Sequence, residues 1–197
     1  QDMRRLADAI EAGVVGDRLR ADHFIHLRCE VSAPNCLESF RLFDGDPRVR
    51  IASLMDHSPG QRQFASLEAY AVYYKGKMKM SDAEFNEFCE TRMAQSAEYS
   101  DKNRAAVADL ARPRGIVLAS HDDATTAHVD EAIGQGIKIA EFPTTMEAAR
   151  ASKDQGLAVL MGAPNVVRGG SHSGNISART LAEHGLLDIL SSDYIPF

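Results

Sequence analysis

Ionisable side chains end four of the apolar segments of this 197-residue chain. Glu30 closes the first of these segments, His57 and His121 follow two later ones, and Asp193 follows the last. Taken singly, each has an ordinary structural explanation, such as a hydrogen-bonded histidine, a turn aspartate or a glutamate paired with an arginine. Imidazole and carboxylate groups are the usual ligands of zinc and similar ions. Their recurrence at successive segment ends therefore indicates a divalent-metal site.

A glycine-rich stretch at residues 168–175 predicts a loop that binds an anion. Its three glycines, Gly169, Gly170 and Gly174, allow successive backbone N–H groups to point to one place. A helix is expected to begin just beyond, near Ser177, and would add partial positive charge. The side chains that could donate hydrogen bonds or positive charge are those of Arg168, Ser171, His172, Ser173 and Asn175. A surface loop without a ligand is the structural alternative.

Composition limits the kind of partner that the chain can have. Its net charge is −6 and it has no basic run, so we do not expect binding to nucleic acid. No apolar run approaches the length of a membrane helix, and the 3 cysteines include no Cys-x-x-Cys pair. We therefore expect a cytoplasmic protein with reduced thiols and no membrane partner. At 44% hydrophobic residues, 197 residues suffice for one domain with its own core.

Strand-like and helix-like segments alternate along the chain. Strands are predicted at 23–31, 50–56, 115–120, 137–142, 157–162 and 186–191. Helices are predicted at 2–13, directly after residue 35, at 66–75, at 81–112 (as one helix, or as two with a break near residue 100), and at 125–134, 145–155 and 177–184. This order is typical of a parallel sheet covered by helices, either doubly wound or a (β/α)₈ barrel. Because strand-end residues converge at one mouth of a barrel, the predicted ligands favour the barrel.

Local patterns refine this prediction. Asn35 with Glu38, and Ser81 with Glu84, have the spacing of a helix capping box. Within the first strand, alternation places Arg28 on the same face as Glu30, and Cys29 on the opposite face towards the helices. Three lysines at positions 75, 77 and 79 precede the long helix. They are either a solvated run of charge or a clamp for a phosphate tail.

Five motifs give the chain a specific resemblance. They are HLRCE at 26–30, MDHSPGQ at 55–61, SHDDAT at 120–125, APNVVRGGSHSGN at 163–175 and SSDY at 191–194. Together and in this order they resemble the alpha-D-ribose 1-methylphosphonate 5-triphosphate diphosphatase family, within the amidohydrolase superfamily. The resemblance runs from about residue 23 to residue 197. It implies a metal-dependent TIM-type barrel that hydrolyses the triphosphate to the 5-phosphate and pyrophosphate in phosphonate catabolism.

The resemblance also implies roles for individual residues. Glu30 matches a carboxylate that bridges two divalent ions (zinc, manganese or iron), His57 and His121 match two strand-end ligands, and Asp193 matches a ligand that also handles the proton of the attacking water. Arg28 and the 168–175 loop become candidates for binding the polyphosphate substrate.

One expected feature of this superfamily is not present in the chain. The histidine pair of the first barrel strand has no match, so we expect residues 1–197 to be the C-terminal part of one barrel domain that lacks its first strands.

Two other functions stay open at this stage. An amidohydrolase acting on a C–N bond of a cyclic amide or amine would have the same metal site. An inactive fragment or a binding protein would need no metal. The sequence does not determine the oligomeric state, and a homo-oligomer is one of the possibilities.

Overall fold

The computed structural model describes residues 2–62, 70–71, 74, 80–171 and 174–193. Six strands in these residues form one sheet: β1 (Ile25–Glu30), β2 (Val49–Met55), β3 (Val117–His121), β4 (Ile139–Glu141), β5 (Ala158–Gly162) and β6 (Ile189–Ser191). Each strand pairs in parallel with the next, in the sequential order β1 to β6. A doubly wound sheet reverses its strand order partway, so that alternative is wrong. The sheet is a curled half-barrel, compatible with part of a (β/α)₈ barrel.

Seven α-helices within the described residues accompany the strands. They are α1 (Asp2–Val15), α2 (Cys36–Arg41), α3 (Asp82–Ala111), α4 (Thr126–Gly134), α5 (Met146–Asp154), α6 (Ala163–Arg168) and α7 (Ala178–Glu183). Of the two alternatives for the section at 81–112, the single helix is confirmed and the break near Ser100 is wrong, because α3 is continuous over 30 residues. The predicted helix at 66–75 and the three lysines at 75, 77 and 79 lie largely outside the described residues.

Side-chain caps explain where most of these helices begin. The Ser81–Glu84 capping box is confirmed, with the Ser81 N–H donating to Glu84 Oε2 at 2.9 Å. Thr125, Thr145 and Ser177 cap α4, α5 and α7 by accepting from a backbone N–H three residues on. The predicted capping box at Asn35 is wrong, because its side chain makes no capping hydrogen bond.

The main core lies between the sheet and the surrounding helices. In β1 the side chains of Leu27 and Cys29 are buried against the helices, whereas His26 and Arg28 are exposed on the concave face. This confirms the predicted alternation. All three cysteines are buried, and none of them forms a disulfide. None of the helices in the described residues is long and apolar enough to cross a membrane.

The long helix α3 fixes the backbone where two strands end. The Asn103 side chain donates to the carbonyls of Val31 and Ala33, at 2.8 and 3.0 Å. The hydroxyls of Ser96 and Ser100 both donate to Oδ2 of Asp56 at 2.7 Å. Because both serines donate to the same buried carboxylate, their hydrogen bonds stabilise the helix on both sides of residue 100. The loops that follow β1 and β2 are thereby tied to one rigid element.

A buried ion pair between α1 and β2 predicts a loss of stability in acid. Asp46, with a side chain 6% exposed, accepts from Arg48 at 2.7 Å and from Arg4 at 2.9 Å. The hydrogen bond from Arg48 is the main reason that the pKa of Asp46 lies well below its usual range. Asp46→Asn is expected to lower the free energy of unfolding by about 2 kcal/mol at neutral pH.

The sign of the pH dependence follows from the lowered pKa. Stability from Asp46 is complete above the unfolded-state pKa, which is about 3.9, and is lost as the pH falls towards the lower folded-state value. Denaturant titrations should therefore show the difference between wild type and variant shrinking below about pH 4. The control is Asp2→Asn, at a side chain that is 98% exposed. A difference that stays constant down to the acid transition would contradict the assignment.

Candidate functional site

The parallel register brings the predicted ligands to one edge of the sheet. Glu30 pairs with Met55 across β1 and β2, so His57 lies just beyond it. His121 pairs with Glu141 across β3 and β4. The rings of His57 and His121 are 5.3 Å apart between centroids and meet edge to face. The strand ends therefore form one polar cluster.

Glu30 orients His57 through contacts with its ring and its backbone. Its Oε2 lies 2.6 Å from His57 Nδ1, and its Oε1 accepts from the His57 backbone N–H at 2.9 Å. Ser32 Oγ donates to the same Oε1 at 2.9 Å, and Arg92 Nη2 lies 3.3 Å from it. With Nδ1 committed to Glu30, the other ring nitrogen of His57 is the one left to bind a cation.

His121 is held in the same way by Glu141. Its Nδ1 lies 2.7 Å from Glu141 Oε2, and both side chains are buried. Its Nε2 is 3.4 Å from Arg28 Nη2. A carboxylate that accepts from one nitrogen of a histidine orients the ring and leaves the other nitrogen as a ligand. Glu30 on β1 and Glu141 on β4 thus orient His57 and His121 in the same way.

Asp122 completes the cluster with an unpaired oxygen. Its Oδ2 is buried, makes no hydrogen bond, and lies 3.4 Å from His121 Nε2 and 3.8 Å from His57 Nε2. Among the described residues, His57, His121 and Asp122 form the group whose ligand atoms all lie within 4.8 Å of one another. Glu30 and Asp193 are not members of this group.

The residues present fit a divalent cation. Two imidazole nitrogens and one carboxylate oxygen are a common zinc ligand set, and bonds of about 2.1 Å place tetrahedral ligands roughly 3.4 Å apart. The two distances from Asp122 Oδ2 are close to that separation. A buried oxygen without a hydrogen bond is costly, and a cation would satisfy it.

Burial and hydrogen bonding set the charge of these groups. Burial has the largest single effect on Glu141 and opposes its ionised form. The hydrogen bond and electrostatic attraction of His121, with the hydrogen bond from Ser53, together outweigh burial and lower the pKa of Glu141 to about 2. Burial likewise opposes charge on Glu30 and His57, but their mutual hydrogen bonds and electrostatic attraction, with smaller contributions from neighbours, together lower the pKa of Glu30 and raise that of His57. Burial raises the pKa of Asp122, which has no such bond. Asp122 is thus the member of the cluster whose charge is not stabilised.

A cavity of about 380 Å³ opens over the cluster. His57, His121, Asp122 and Asp193 all line it. Asp193 approaches over Gly162, since a Cβ placed there would lie 3.5 Å from Asp193 Oδ2. Three of the four predicted strand-end residues, His57, His121 and Asp193, therefore line one cavity, and Asp193 lies at its wall and not within the ligand group. Glu30 is not among the residues that line it.

Three non-glycine residues around this cavity have left-handed backbone conformations. Asp122, Phe142 and Asp193 have φ values of 57°, 58° and 52°, and each follows the end of a strand within two residues. All three line the cavity. Such conformations are unfavourable for residues with a side chain and concentrate at functional sites. They support placing the site at this rim.

The glycine-rich stretch forms another part of the cavity wall. Arg168, Gly170, Ser171 and Asn175 line the cavity. The N–H groups of Gly169 and Gly170, however, donate to the carbonyls of residues 166 and 165 at the end of α6. Those two N–H groups are therefore not available to an anion in this conformation, and binding would depend on side chains. His172 and Ser173 lie outside the described residues.

The sequence alone did not identify several residues of this site. Asp122, Glu141 and Arg92 are not among the site residues predicted from the sequence. Nothing in the sequence marks Arg92, because its role depends on where α3 packs. Asp122 had one signal, namely that it directly follows a predicted ligand.

Comparison with known proteins gives one match over the whole chain. No protein-family model matches the sequence. No solved structure matches it either. The chain is 53% identical over 197 residues to the alpha-D-ribose 1-methylphosphonate 5-triphosphate diphosphatase of Escherichia coli (strain K12). The match takes in 100% of this chain and 52% of that protein, so the chain spans about half the length of its relative. The resemblance expected from the motifs is confirmed: along its whole length, the chain is similar to about half of a diphosphatase of that name.

Proposed function

We propose that this chain carries the metal-binding and substrate-binding part of a hydrolase acting on alpha-D-ribose 1-methylphosphonate 5-triphosphate. The reaction releases pyrophosphate and leaves the 5-phosphate, as a step of phosphonate catabolism. One observation carries the proposal. A buried, unpaired carboxylate oxygen of Asp122 faces two histidine nitrogens, at the base of a cavity that also holds Arg28 and Arg168. The 53% identity to a diphosphatase supports the choice of substrate.

We propose two roles for the residues at the base of the cavity, namely binding the ion and orienting its ligands. His57, His121 and Asp122 hold a divalent ion, and Glu30 and Glu141 orient the two imidazoles. An ion bound there supplies activation of water and neutralisation of phosphate charge. Glu30 as a bridging ligand, and a second ion, stay predictions. We further propose that residues 1–197 belong to one (β/α)₈ barrel domain of the amidohydrolase type.

Positive charge on the cavity wall suits a polyphosphate. The protein as a whole is acidic, with a net charge of −6, so attraction of an anion must be local. Arg28 and Arg168 face the cavity from opposite parts of the sequence, with the polar side chains of Ser171 and Asn175 beside them. Forked guanidinium groups match phosphate oxygens well. A neutral cyclic amide has no anionic group that could pair with these guanidinium groups.

A pyrophosphate-release assay tests the proposal. The purified full-length hydrolase to which this chain is proposed to belong, supplied with Zn²⁺ or Mn²⁺, is given the ribosyl triphosphate or a panel of cyclic amides, and the pyrophosphate or ring-opened product is measured. We expect pyrophosphate from the triphosphate and no turnover of the amides. Turnover of an amide, or metal binding without any pyrophosphate release, would contradict the proposed reaction.

Asp193 is the residue that we propose as general base. Its carboxylate lies at the cavity wall, where it can accept the proton of the attacking water. Asp193→Asn should lower kcat by about 10²-fold to 10⁴-fold with little change in substrate binding. Asparagine also tolerates the left-handed backbone at φ 52°, so the fold should persist.

The matched control is Asp17→Asn. Asp17 is likewise left-handed, at φ 49°, but it is exposed in the loop that follows α1. It should leave both kcat and binding unchanged. Near-normal turnover of Asp193→Asn would remove the proposed role of Asp193.

A further inference from the structure

The Arg28 guanidinium lies beside the nitrogen of His121 that would bind a cation. Its Nη2 is 3.4 Å from His121 Nε2, and its Nη1 is 3.8 Å from Glu141 Oε1. His121 has its Nδ1 against Glu141 at 2.7 Å, so that nitrogen carries the proton and Nε2 keeps a free lone pair. The guanidinium is therefore directed at the lone pair that would otherwise bind a metal.

A guanidinium and a divalent ion cannot both lie against Nε2 of His121. Like charges a few ångströms apart in a partly buried site repel strongly. Arg28 is the movable member of the pair, because its side chain is 44% exposed and both of its contacts are long for hydrogen bonds or ion pairs. His121, by contrast, is buried and fixed by Glu141.

The cavity can accommodate the guanidinium of Arg28 after a metal displaces it. Arg28 projects from the concave face of β1 and lines the same cavity as Arg168 and Asn175. A phosphate bound in this cavity would attract the Arg28 guanidinium by its charge and by forked hydrogen bonds. The position that metal binding would force on Arg28 is thus the position that a bound phosphate would stabilise.

We propose that Arg28 is a cationic substitute for the metal at His121, and that metal binding transfers its guanidinium to the anionic substrate. This role rests on the proposed function, since it needs both a metal and a phosphate-bearing ligand. Arg28 then weakens metal binding in the absence of an anion and strengthens anion binding once the metal is in place. Metal and anion are thereby coupled through one side chain.

The test measures Co²⁺ affinity and anion affinity separately. Co²⁺ binding is followed by its visible absorption in competition with a chelator, and inorganic phosphate is titrated into the Co²⁺-loaded protein by calorimetry. Arg28→Met should bind Co²⁺ about tenfold more tightly than wild type, since a repelling charge is removed. The same variant should bind phosphate about tenfold more weakly, since a forked donor is lost. Neither readout depends on turnover.

Two further variants separate charge from shape. Arg28→Lys keeps the charge but lacks the planar fork, so its Co²⁺ affinity should stay near wild type while phosphate binding weakens. Arg50→Met removes an exposed arginine that stacks over Phe24, at the opposite end of the neighbouring strand. That control should change both affinities by less than about twofold, because exposed charges at that distance are screened.

The outcomes distinguish this role from the metal site itself. Tighter Co²⁺ binding by Arg28→Met, together with weaker phosphate binding, supports the exchange. Co²⁺ binding that is unchanged or weaker in Arg28→Met overturns it while leaving the metal site in place. Failure of every variant and of wild type to bind Co²⁺ overturns the proposed metal site and the role of Arg28 with it.

Discussion

Asp122→Asn is expected to remove tight metal binding while making the metal-free protein more stable. Asp122 Oδ2 is the unpaired oxygen of the cluster, at 3.4 and 3.8 Å from the two histidine Nε2 atoms. Asparagine has nearly the same shape and accepts the left-handed backbone at this position, but it carries no charge. Metal affinity should fall by at least about 100-fold, beyond the loss typical for residues that only orient a ligand.

The opposite effect on the metal-free protein follows from the raised pKa of Asp122. Burial holds this pKa above its usual value, so at neutral pH the ionised carboxylate destabilises the fold. Removing the charge should therefore raise the free energy of unfolding without metal. With metal the order should reverse, because binding to the folded state stabilises wild type and not the variant.

Thermal melts with chelator and with excess Zn²⁺ would measure both effects. Asp130→Asn is the control, since Asp130 is exposed on α4 and makes none of the hydrogen bonds or ion pairs found within the described residues. It should follow wild type in both conditions. A variant at Asp122 that melts at the wild-type temperature in both conditions would show that this carboxylate neither binds a metal nor destabilises the fold.

The failure to find Asp122 in the sequence has a physical cause. Successive side chains of a strand point to opposite faces, so a predicted ligand at His121 implies that Asp122 points away from it. The left-handed backbone of Asp122, at φ 57°, breaks this alternation and turns its carboxylate back to the same cavity. Alternation can be read from residue types, whereas a positive φ at a non-glycine residue cannot.

Most of the fold was predictable because its signals are local. Alternating apolar runs, together with threonine and serine caps, give the strands and helices, and sequential parallel strands follow from them. The helix α6 (Ala163–Arg168) was missed, because its glycine and proline neighbours resemble a loop. Pro164 at its first turn is in fact a favourable start.

The contacts of Glu30 illustrate the limit for the site. Its position at a strand end was predicted, and so was its nearness to His57. Its contact with Arg92 depends on the packing of α3, which residue types do not specify. Sequence reasoning therefore located the rim of the site better than the partners of each side chain.

Arg62→Met is expected to cost about 3–5 kcal/mol of stability, because it leaves a buried charge without its partner. Arg62, with a side chain 5% exposed, forms an ion pair with Asp123, which is 1% exposed. It also donates to Glu131 on α4 at 2.6 Å. The pair joins the loop that follows β2 to the loop that follows β3, and these are the loops that carry His57 and Asp122.

Urea denaturation, followed by far-UV circular dichroism, would measure this loss. The control is Arg5→Met, at a side chain 84% exposed and 4.0 Å from its nearest carboxylate. It should change the free energy of unfolding by less than about 0.5 kcal/mol. A loss below about 1 kcal/mol for Arg62→Met would mean that Asp123 finds other compensation and that the two loops are joined by packing alone.

A double variant separates the unpaired charge from the lost packing. If the uncompensated carboxylate of Asp123 causes most of the loss, Arg62→Met combined with Asp123→Asn should be more stable than Arg62→Met alone. Ser120 Oγ, which donates to Asp123 in the wild-type protein, can still contact the asparagine side chain. If packing of the arginine causes the loss, the second substitution should only add to it. The sign of that difference decides whether electrostatics or shape holds the two ligand-bearing loops together.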